Sequence, residues 1–456
     1  MPARTLVTIA VLLSTGWLPS PRTSKLNQLL DGTTTLSLTL EAPLQKLFAY
    51  KSADDERVFV PGTLSYKDPG SGSNVVVSGL EVSVRGHTSR NDEECTFPKL
   101  KVKAKGAGTL RIGTHCGELP DDQLTAKYGR LANEKSPLRE GVAYRVLVAL
   151  GVPTLRTRPA RITYIDAGAR GTPLVRNALL IEDDNDAMAR VGGVSAIALE
   201  QFGNVRSRDG ISDASRIAFG EAAIGNFDWC LKFTPDDDYR CNDPKPLWNI
   251  MAFDRDGNRP AQRRPREGRT ALVMKDFDLA GMVVGHHSWF KLVFASAFVP
   301  SGSETETAVV AQVQRARSLF PRAELDALRH GVMTRKSAAY RAVESADVDR
   351  DGRELARTHL DTFYRAISDP EFYLPVIARA GVQVYKDSAA TAEACGPKDT
   401  LPVGTPVKPL QKAGRMSQVI LLDALWRWGA KNPCQAVIAG PVWVETSAIT
   451  SRFPVQ

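Results

Sequence analysis

The chain has little of what marks the commonest nucleotide-binding and hydrolytic chemistries. No Gly-x-x-x-x-Gly-Lys-Ser/Thr stretch occurs, which argues against a P-loop enzyme. No Gly-x-Ser-x-Gly elbow supports a serine hydrolase. Only six of the 456 residues are cysteine and none stands in a Cys-x-x-Cys pair, so a cysteine zinc site has no support. No basic stripe with interleaved aromatics appears, and a formal charge of +8 does not demand nucleic acid. The densest basic run, "RRPREGR" (Arg263 to Arg269), also holds Pro, Glu and Gly and reads as a solvated loop. Long apolar runs are missing too. The stretch from Leu6 to Leu13 falls short of the roughly 20 residues a membrane span needs.

What is present reads as a soluble protein of more than one domain, with 43% hydrophobic and 24% charged residues. The positive balance permits an acidic partner: a nucleotide, a phosphorylated polymer or an anionic envelope surface. At the start, "MPARTLVTIAVLLSTGWLPS" places one arginine before the apolar stretch and turn-forming residues after it. That order predicts a secretory signal peptide over residues 1–22, with an uncleaved anchor as the alternative. No Ala-x-Ala site marks the cut. The cysteines agree with export, to periplasm, envelope or medium. Cys95 and Cys116, Cys230 and Cys241, and Cys395 and Cys434 form three sequence-local pairs, and neighbour pairing is the simplest arrangement. Each such bridge adds about 2–4 kcal/mol by restricting the unfolded chain. No membrane span is expected beyond the leader.

From about Thr33 to Lys105, alternating runs such as "TLSLTLEA", "NVVVSGLEVSVRG" and "KLKVKAK" are separated by Gly, Pro and Asp clusters, which predicts strands joined by turns. "PLREGVAYRVLVAL" has helical spacing, with Pro137 at its start and Gly151 at its end. Strands are expected at "ARITYID", "RNALLIED", "LWNIMAFD" and "ALVMKDFDLAG", and helices at "SDASRIAFGEAAIGNF" and across most of Glu304 to Ile367. The order predicts an α+β body with a sheet-rich N-terminal part and a helical C-terminal part. After about residue 383, "LPVGTPVKPL", "SQVILLD", "AVIAG" and "VWVETSAIT" are short strand candidates. Their cadence resembles the bacterial SH3-like barrels of envelope proteins, through the turn at Leu401–Val407 and the late strand at Gly440–Val444. A β-hairpin appendage without a ligand is the other reading.

Three polar clusters stand between these parts. In "RGHTSRNDEECTFPKLKVK", strand alternation puts Lys99, Lys101 and Lys103 on one face. In "IGNFDW", Asn226 and Asp228 end an apolar helix, and Asn249 follows after a polar loop. In "VMKDFDLAGMV", a strand would point Asp276 and Asp278 to the same side of Phe277. Two carboxylates side by side are costly unless a cation or hydrogen bonds offset them. A solvated strand face is the bland reading of each cluster. Together they hold what phosphoryl transfer requires: a cation for the phosphates, an acid to orient a hydroxyl, and hard oxygen ligands for Mg²⁺.

The ordered segments "VRGHTSR", "FPKLKVK", "THC", "LREGVAYRVLVALGVPTLRTRPARITYID", "LLIEDDNDAMARVGG", "IGNFDW" and "KDFDLAG" resemble a family of exported bacterial proteins without assigned activity, across Leu36 to Asp369. That resemblance also implies the Cys95–Cys116 pairing. More distantly, the layout is similar to the spore-coat-protein-H-like (CotH-like) atypical kinases. This implies a two-lobed kinase-like domain over residues 33–380, which the SH3-like resemblance above follows with a β-barrel over 383–456. It also implies Lys101 on the nucleotide phosphates, with Lys99 and Lys103 as substitutes, and Asp228 as the base for the acceptor hydroxyl. Asn249, Asp276 and Asp278 would hold Mg²⁺ or Mn²⁺, and Glu140 or Glu182 would pair with the lysine. The chain departs from the pattern in two ways. The Cys230–Cys241 loop intervenes before Asn249, and no strongly glycine-rich loop covers a phosphate site.

Other motifs carry less. "DVDRDG" (Asp347 to Gly352) imitates the start of an EF-hand, but the twelfth position is Thr358 and the segment reads as a helix start. His286 and His287 lack partners at metal spacing, and Trp426, Trp428 and Trp443 read as barrel core or rim. The expectation is an exported phosphotransferase acting on ATP or another nucleotide and a hydroxyl-bearing acceptor. Its rival is a non-catalytic envelope-binding protein whose barrel holds a cell-wall polymer.

Overall fold

Alternation in "TLSLTLEA" becomes strand β1 (Leu36–Ala42), whose Leu36, Leu38, Leu40 and Ala42 are buried while Ser37 and Glu41 are exposed. Six further strands follow: β2 (Val60–Lys67), β3 (Asn74–Val84), β4 (Leu100–Ala104), β5 (Gly108–Thr114), β6 (Thr157–Asp166) and β7 (Leu174–Glu182). They close into a barrel in the order β1-β2-β3-β4-β5-β7-β6. Parallel pairing of β6 with β1, Leu36 opposite Ala160 through Ala42 opposite Asp166, makes the closure. Closure removes both sheet edges. The barrel is filled by residues such as Leu40, Leu64, Val82, Val102, Leu110, Ile162 and Leu180, joined by Leu26, Leu29 and Leu30 of α1 (Lys25–Gln28) and its end. Each such side chain, fully buried, contributes about 1.5–3 kcal/mol. A short α2 (Leu44–Phe48) follows β1.

This computed structural model describes residues 24–49, 58–86, 88–90, 95, 97–115, 131, 133–169, 171–198, 208–231, 247–255, 270–285, 309–310, 312–313, 316, 320, 322–368, 375–394, 400–401, 407–421 and 441–451. The expected signal peptide, the "RRPREGR" run, His286, His287, Trp426 and Trp428 lie outside them, as do Cys116, Cys241, Cys395 and Cys434. Among the described residues no helix is long and apolar enough to cross a membrane.

Between β5 and β6 runs α3 (Ser136–Leu150). Pro137 sits at its first turn, and Gly151 ends it at φ 78°, with Val152 N–H closing back on Leu147 O at 2.9 Å. This helix joins the barrel to the rest of the body. On β7, Ala178 and Leu180 fill the barrel, whereas Leu179 and Ile181 face a second core with Val146, Leu147 and Leu150 of α3. Both faces of one strand are therefore buried, which explains its unbroken apolar end.

The second core is helical, with α4 (Asp184–Arg190), α5 (Arg208–Ile224), α6 (Gly281–Val284), α7 (Arg322–Thr334), α8 (Lys336–Glu344) and α9 (Arg350–Ser368). Small strands thread it: β8 (Ser195–Ala196), β9 (Cys230–Leu231), β10 (Leu247–Trp248), β11 (Ile250–Asp254) and β12 (Thr270–Met274). The α+β class and the sheet-then-helix order are as expected. The EF-hand imitation resolves into helix, because α9 starts at Arg350 and Asp349 is held by Arg139 Nε and Nη2 at 3.0 and 2.7 Å.

Two expected strands end early. "LWNIMAFD" is broken at Asn249, which takes φ 55° between β10 and β11. "ALVMKDFDLAG" leaves the sheet after Met274, so Asp276 and Asp278 are not on a strand. The C-terminal strands β13 (Val376–Ile377), β14 (Val407–Ala413), β15 (Met416–Leu421), β16 (Val442–Glu445) and β17 (Ile449–Thr450) make two small antiparallel sheets. They share a core of their own around Ile377, Val384, Val419, Val442 and Val444. Trp443 is buried at its edge, and "AVIAG" lies outside the described residues.

Candidate active site between the barrel and the helical core

On β4, Leu100, Val102 and Ala104 turn into the barrel, which puts Lys101 and Lys103 outside. Lys99 lies one position before the strand, where the barrel meets the helical core. Its Nζ donates to Asp276 Oδ1 at 3.1 Å and to Asp278 Oδ2 at 2.6 Å. Lys101 instead pairs with Asp183 at 3.1 Å, and Lys103 with Glu81 at 3.6 Å. Thus Lys99, the substitute two residues earlier, is the lysine at the acidic pair.

Asp276 and Asp278 converge through a turn held at several points. Asp276 takes φ 66°, and its N–H donates to Tyr144 Oη at 3.1 Å. The N–H of Phe277 donates to Glu140 Oε1 at 3.3 Å, and its buried ring packs against Tyr144, centroids 4.6 Å apart. Phe277 is the anchor that fixes the backbone while its two neighbours meet Lys99. Glu140 and Tyr144 lie four residues apart on α3 and so share one face.

Across the site, Asn249 Nδ2 donates to Asp228 O at 2.7 Å and to Asp228 Oδ2 at 3.0 Å. Trp248 Nε1 donates to Asp228 Oδ1 at 2.7 Å, and Asp228 N–H donates to Asn226 Oδ1 at 3.1 Å. Lys275 N–H donates to Asn249 O at 2.9 Å, tying the two halves together. Among the described residues three non-glycine positions have positive φ, and two of them are Asn249 and Asp276. Such conformations cost about 1–3 kcal/mol for general residues and less for Asn and Asp. They persist where surrounding contacts over-determine them, as the hydrogen bonds above do.

The charges are unequal. Asp276, Asp278 and Glu140 act on Lys99, and Asp276 and Glu140 also act on Arg85, while Asp228 lies in the field of Asp276 and Asp278. Burial opposes charge on Asp276, but Lys99 and Arg85 outweigh it and hold that carboxyl below its ordinary range. The same pair of acids overcomes burial at Lys99 and raises its ammonium above the ordinary value. Glu140 moves the other way, raised by burial and by the charge of Asp278. Asp228 is pushed up to about 6 by burial and by Asp276. The expected choice between Glu140 and Glu182 is thereby narrowed. Glu140 lies in the field of Lys99, whereas Glu182 binds Arg190 at 2.8 Å and Arg156 N–H at 3.1 Å.

Arg85, Arg111, Tyr144, Asp183, Asp184, Trp248 and Lys275 were not singled out from the sequence as site residues. Arg111 pairs with Asp183 and Asp184 at 3.4 and 2.5 Å, and Lys275 with Asp184 at 3.7 Å. One signal was available: "REGVAY" carries three large polar side chains, Arg139, Glu140 and Tyr144, all buried on an otherwise apolar helix. Cys95 and Cys230 are each disulfide-bonded.

Among the described residues no group of three or more His, Cys, Asp or Glu side chains gathers at metal-binding distance. The donor set here is two carboxylates and an amide. Asn249 spends its Nδ2 on Asp228, which leaves Oδ1 as an acceptor, and Lys99 engages one oxygen each of Asp276 and Asp278. Three hard oxygens therefore remain, the chemistry that suits Mg²⁺ or Mn²⁺ rather than a softer ion. In comparison with known proteins, the chain matches no family model, no curated protein and no solved structure.

Proposed function

We propose that the barrel and helical core form an atypical two-lobed kinase-like body that transfers a phosphoryl group from a nucleotide to a hydroxyl acceptor. The observation that carries this reading is the bridge from Lys99 to Asp276 and Asp278 beside the Asp228–Asn249 pair. Lys99 replaces Lys101 as the residue for the phosphates, and Glu140 stands behind it. Asp228 is the base: with its carboxyl pushed up to about 6, it is ionised at neutral pH yet basic enough to share a hydroxyl proton. Trp248 and Asn249 hold one oxygen each of that carboxylate and fix its direction. Asn249, Asp276 and Asp278 would hold Mg²⁺ or Mn²⁺, which when bound neutralises charge on the phosphate oxygens.

Export supports disulfides at Cys95 and Cys230 and fits the expected leader. In that compartment the small C-terminal sheets would act as an SH3-like module for a cell-wall polymer. One observation favours the rival, a non-catalytic envelope-binding protein. Lys99 already neutralises the acidic pair without any metal, as a purely structural ion pair would.

A thermal-shift titration of the oxidised protein with ATP and GTP, with and without Mg²⁺ or Mn²⁺, separates them. At 100 times the dissociation constant a ligand adds about 2.7 kcal/mol of stability. A metal-dependent rise that is lost in Asp276→Ala supports phosphoryl transfer. No rise with any nucleotide, together with retention on purified cell wall, supports the binding module.

A further inference from the structure

One cation at this site is held in place with a buried donor that no described residue accepts from. Arg85 directly follows β3, and its backbone is tied on both sides. Its N–H donates to Lys99 O at 2.8 Å, and its own carbonyl accepts from Ser89 Oγ at 2.6 Å. The turn that brings Ser89 back requires Gly86 at φ 94°, where a Cβ would lie 2.2 Å from Ser89 Oγ. Arg85 and Lys99 are thus neighbours across two adjacent strands, and the short turn fixes where the arginine stem leaves the chain.

The guanidinium makes no equivalent use of its donors. Its Nε is buried and finds no hydrogen-bond partner among the described residues. Asp276 and Glu140 attract the group, while Arg111 and Lys99 repel it. Lys99 is engaged by Asp276 and Asp278, and Arg111 by Asp183 and Asp184. A guanidinium whose buried Nε finds no acceptor among the described residues, beside further cations, is costly by itself and complementary to a multiply charged oxyanion. A neutral ligand would leave these donors unsatisfied. A single carboxylate carries too little charge for the group of cations.

We infer that Arg85 is the principal anchor for the phosphoanhydride chain of the ligand, with Lys99 beside it. This deepens the phosphoryl-transfer reading and rests on it for the choice of cleft. The shared chemistry is a chain of phosphates, which either a nucleoside triphosphate or inorganic tripolyphosphate would supply.

The test is isothermal titration of the full-length oxidised protein with Mg²⁺-ATP and, separately, with Mg²⁺-tripolyphosphate. Arg85→Gln, Arg85→Lys and Lys101→Gln are compared with wild type. Arg85→Gln should weaken both ligands by roughly 10- to 100-fold, the worth of charge-assisted hydrogen bonds. Arg85→Lys should recover part of that loss, and Lys101→Gln should stay within about twofold of wild type. The ligand-free melting temperature of Arg85→Gln should equal or exceed that of wild type, since an unpaired guanidinium is removed. A lower one would mark Arg85 as structural and overturn the inference. ATP binding by Arg85→Gln as tight as wild type overturns it too, while phosphoryl transfer survives. Tripolyphosphate binding that depends on Arg85, with no ATP binding, upholds the phosphate anchor and ends the nucleotide reading. Binding of neither ligand to wild type overturns both.

Discussion

Lys99 Nζ stands 2.6 Å from Asp278 Oδ2, joining residues 179 positions apart and tying the barrel to the helical core. The same ammonium reaches Asp276 Oδ1, so one buried cation holds two acids together. Removing it leaves two carboxylates facing each other, whereas its neighbours on β4 serve other partners.

Lys99→Met should therefore destabilise the protein by about 2–4 kcal/mol, at the lower end because the Asp276 side chain keeps 41% of its exposure. Lys103→Met should change stability by no more than about 0.5 kcal/mol, its pair with Glu81 being solvated on both sides. Urea denaturation of the two variants decides this. A larger loss at Lys103 would show that the lysine holding the two bodies together has been misassigned.

The Asp276 turn depends on a phenol. Tyr144→Phe deletes the acceptor of the Asp276 N–H and leaves a strained residue with one tie fewer. A loss of about 1–2 kcal/mol is expected, with a weaker metal-dependent thermal shift. Tyr364→Phe serves as control, because that hydroxyl makes only a 3.4 Å contact to Val332 O. Equal effects of the two substitutions in the same thermal scan would contradict the role given to Tyr144.

His359 makes stability depend on acid. It is fully buried in α9, its Nδ1 lies 2.9 Å from Leu355 O, and its Nε2 has no partner among the described residues. Gly225 and Gly281 close on that nitrogen so tightly that a Cβ at either would lie 2.8 Å from it. Burial pushes the imidazole down to about 4, from an ordinary 6.5. Below pH 6.5 the unfolded chain takes up a proton that the folded ring refuses. Stability is then lost as pH falls from about 6.5 to 4, by roughly 3 kcal/mol, and this contribution is flat below that. Subtracting the pH profile of His359→Gln from that of wild type should isolate this slope. Parallel profiles would show that the folded ring takes up its proton as readily as the unfolded one, against the burial given to it here.

Reduction should cost stability as well. With Cys95 and Cys230 both in disulfides, dithiothreitol should lower the melting temperature and cost about 2–5 kcal/mol of stability for each bridge broken. An unchanged melting curve with fully titratable thiols would remove the support these bridges lend to export.

Much of the site was legible as residue types. Asp228, Asn249, Asp276 and Asp278 stand out because acids and an amide interrupt apolar runs, and the structure does bring them to one place with a lysine. The expected strand through Asp276 was wrong in conformation, since β12 stops at Met274 and Phe277 anchors a turn instead. Both a strand and this turn put residues two apart on one side, so the sequence could not separate them. Arg85 and Tyr144 escaped notice because nothing local distinguishes them from a strand-end arginine and a helix-core tyrosine.

Alternation in the N-terminal runs and the Pro137-to-Gly151 pattern of α3 determined, by themselves, which segments are strands, which is a helix and which faces are apolar. These are properties of a few neighbouring residues. Alternation also set the three lysines on the outside, but a period of two is indifferent to which of Lys99, Lys101 and Lys103 meets another body. That depended on which end of β4 faces the helical core. Likewise, the choice of Glu140 over Glu182 rests on its place beside Lys99, 41 positions away, and the closure of seven strands through β1 and β6 rests on partners more than 100 positions apart in sequence. Only the tertiary structure decided them, because burial and ion pairing act through space and carry no trace of the chain length between partners.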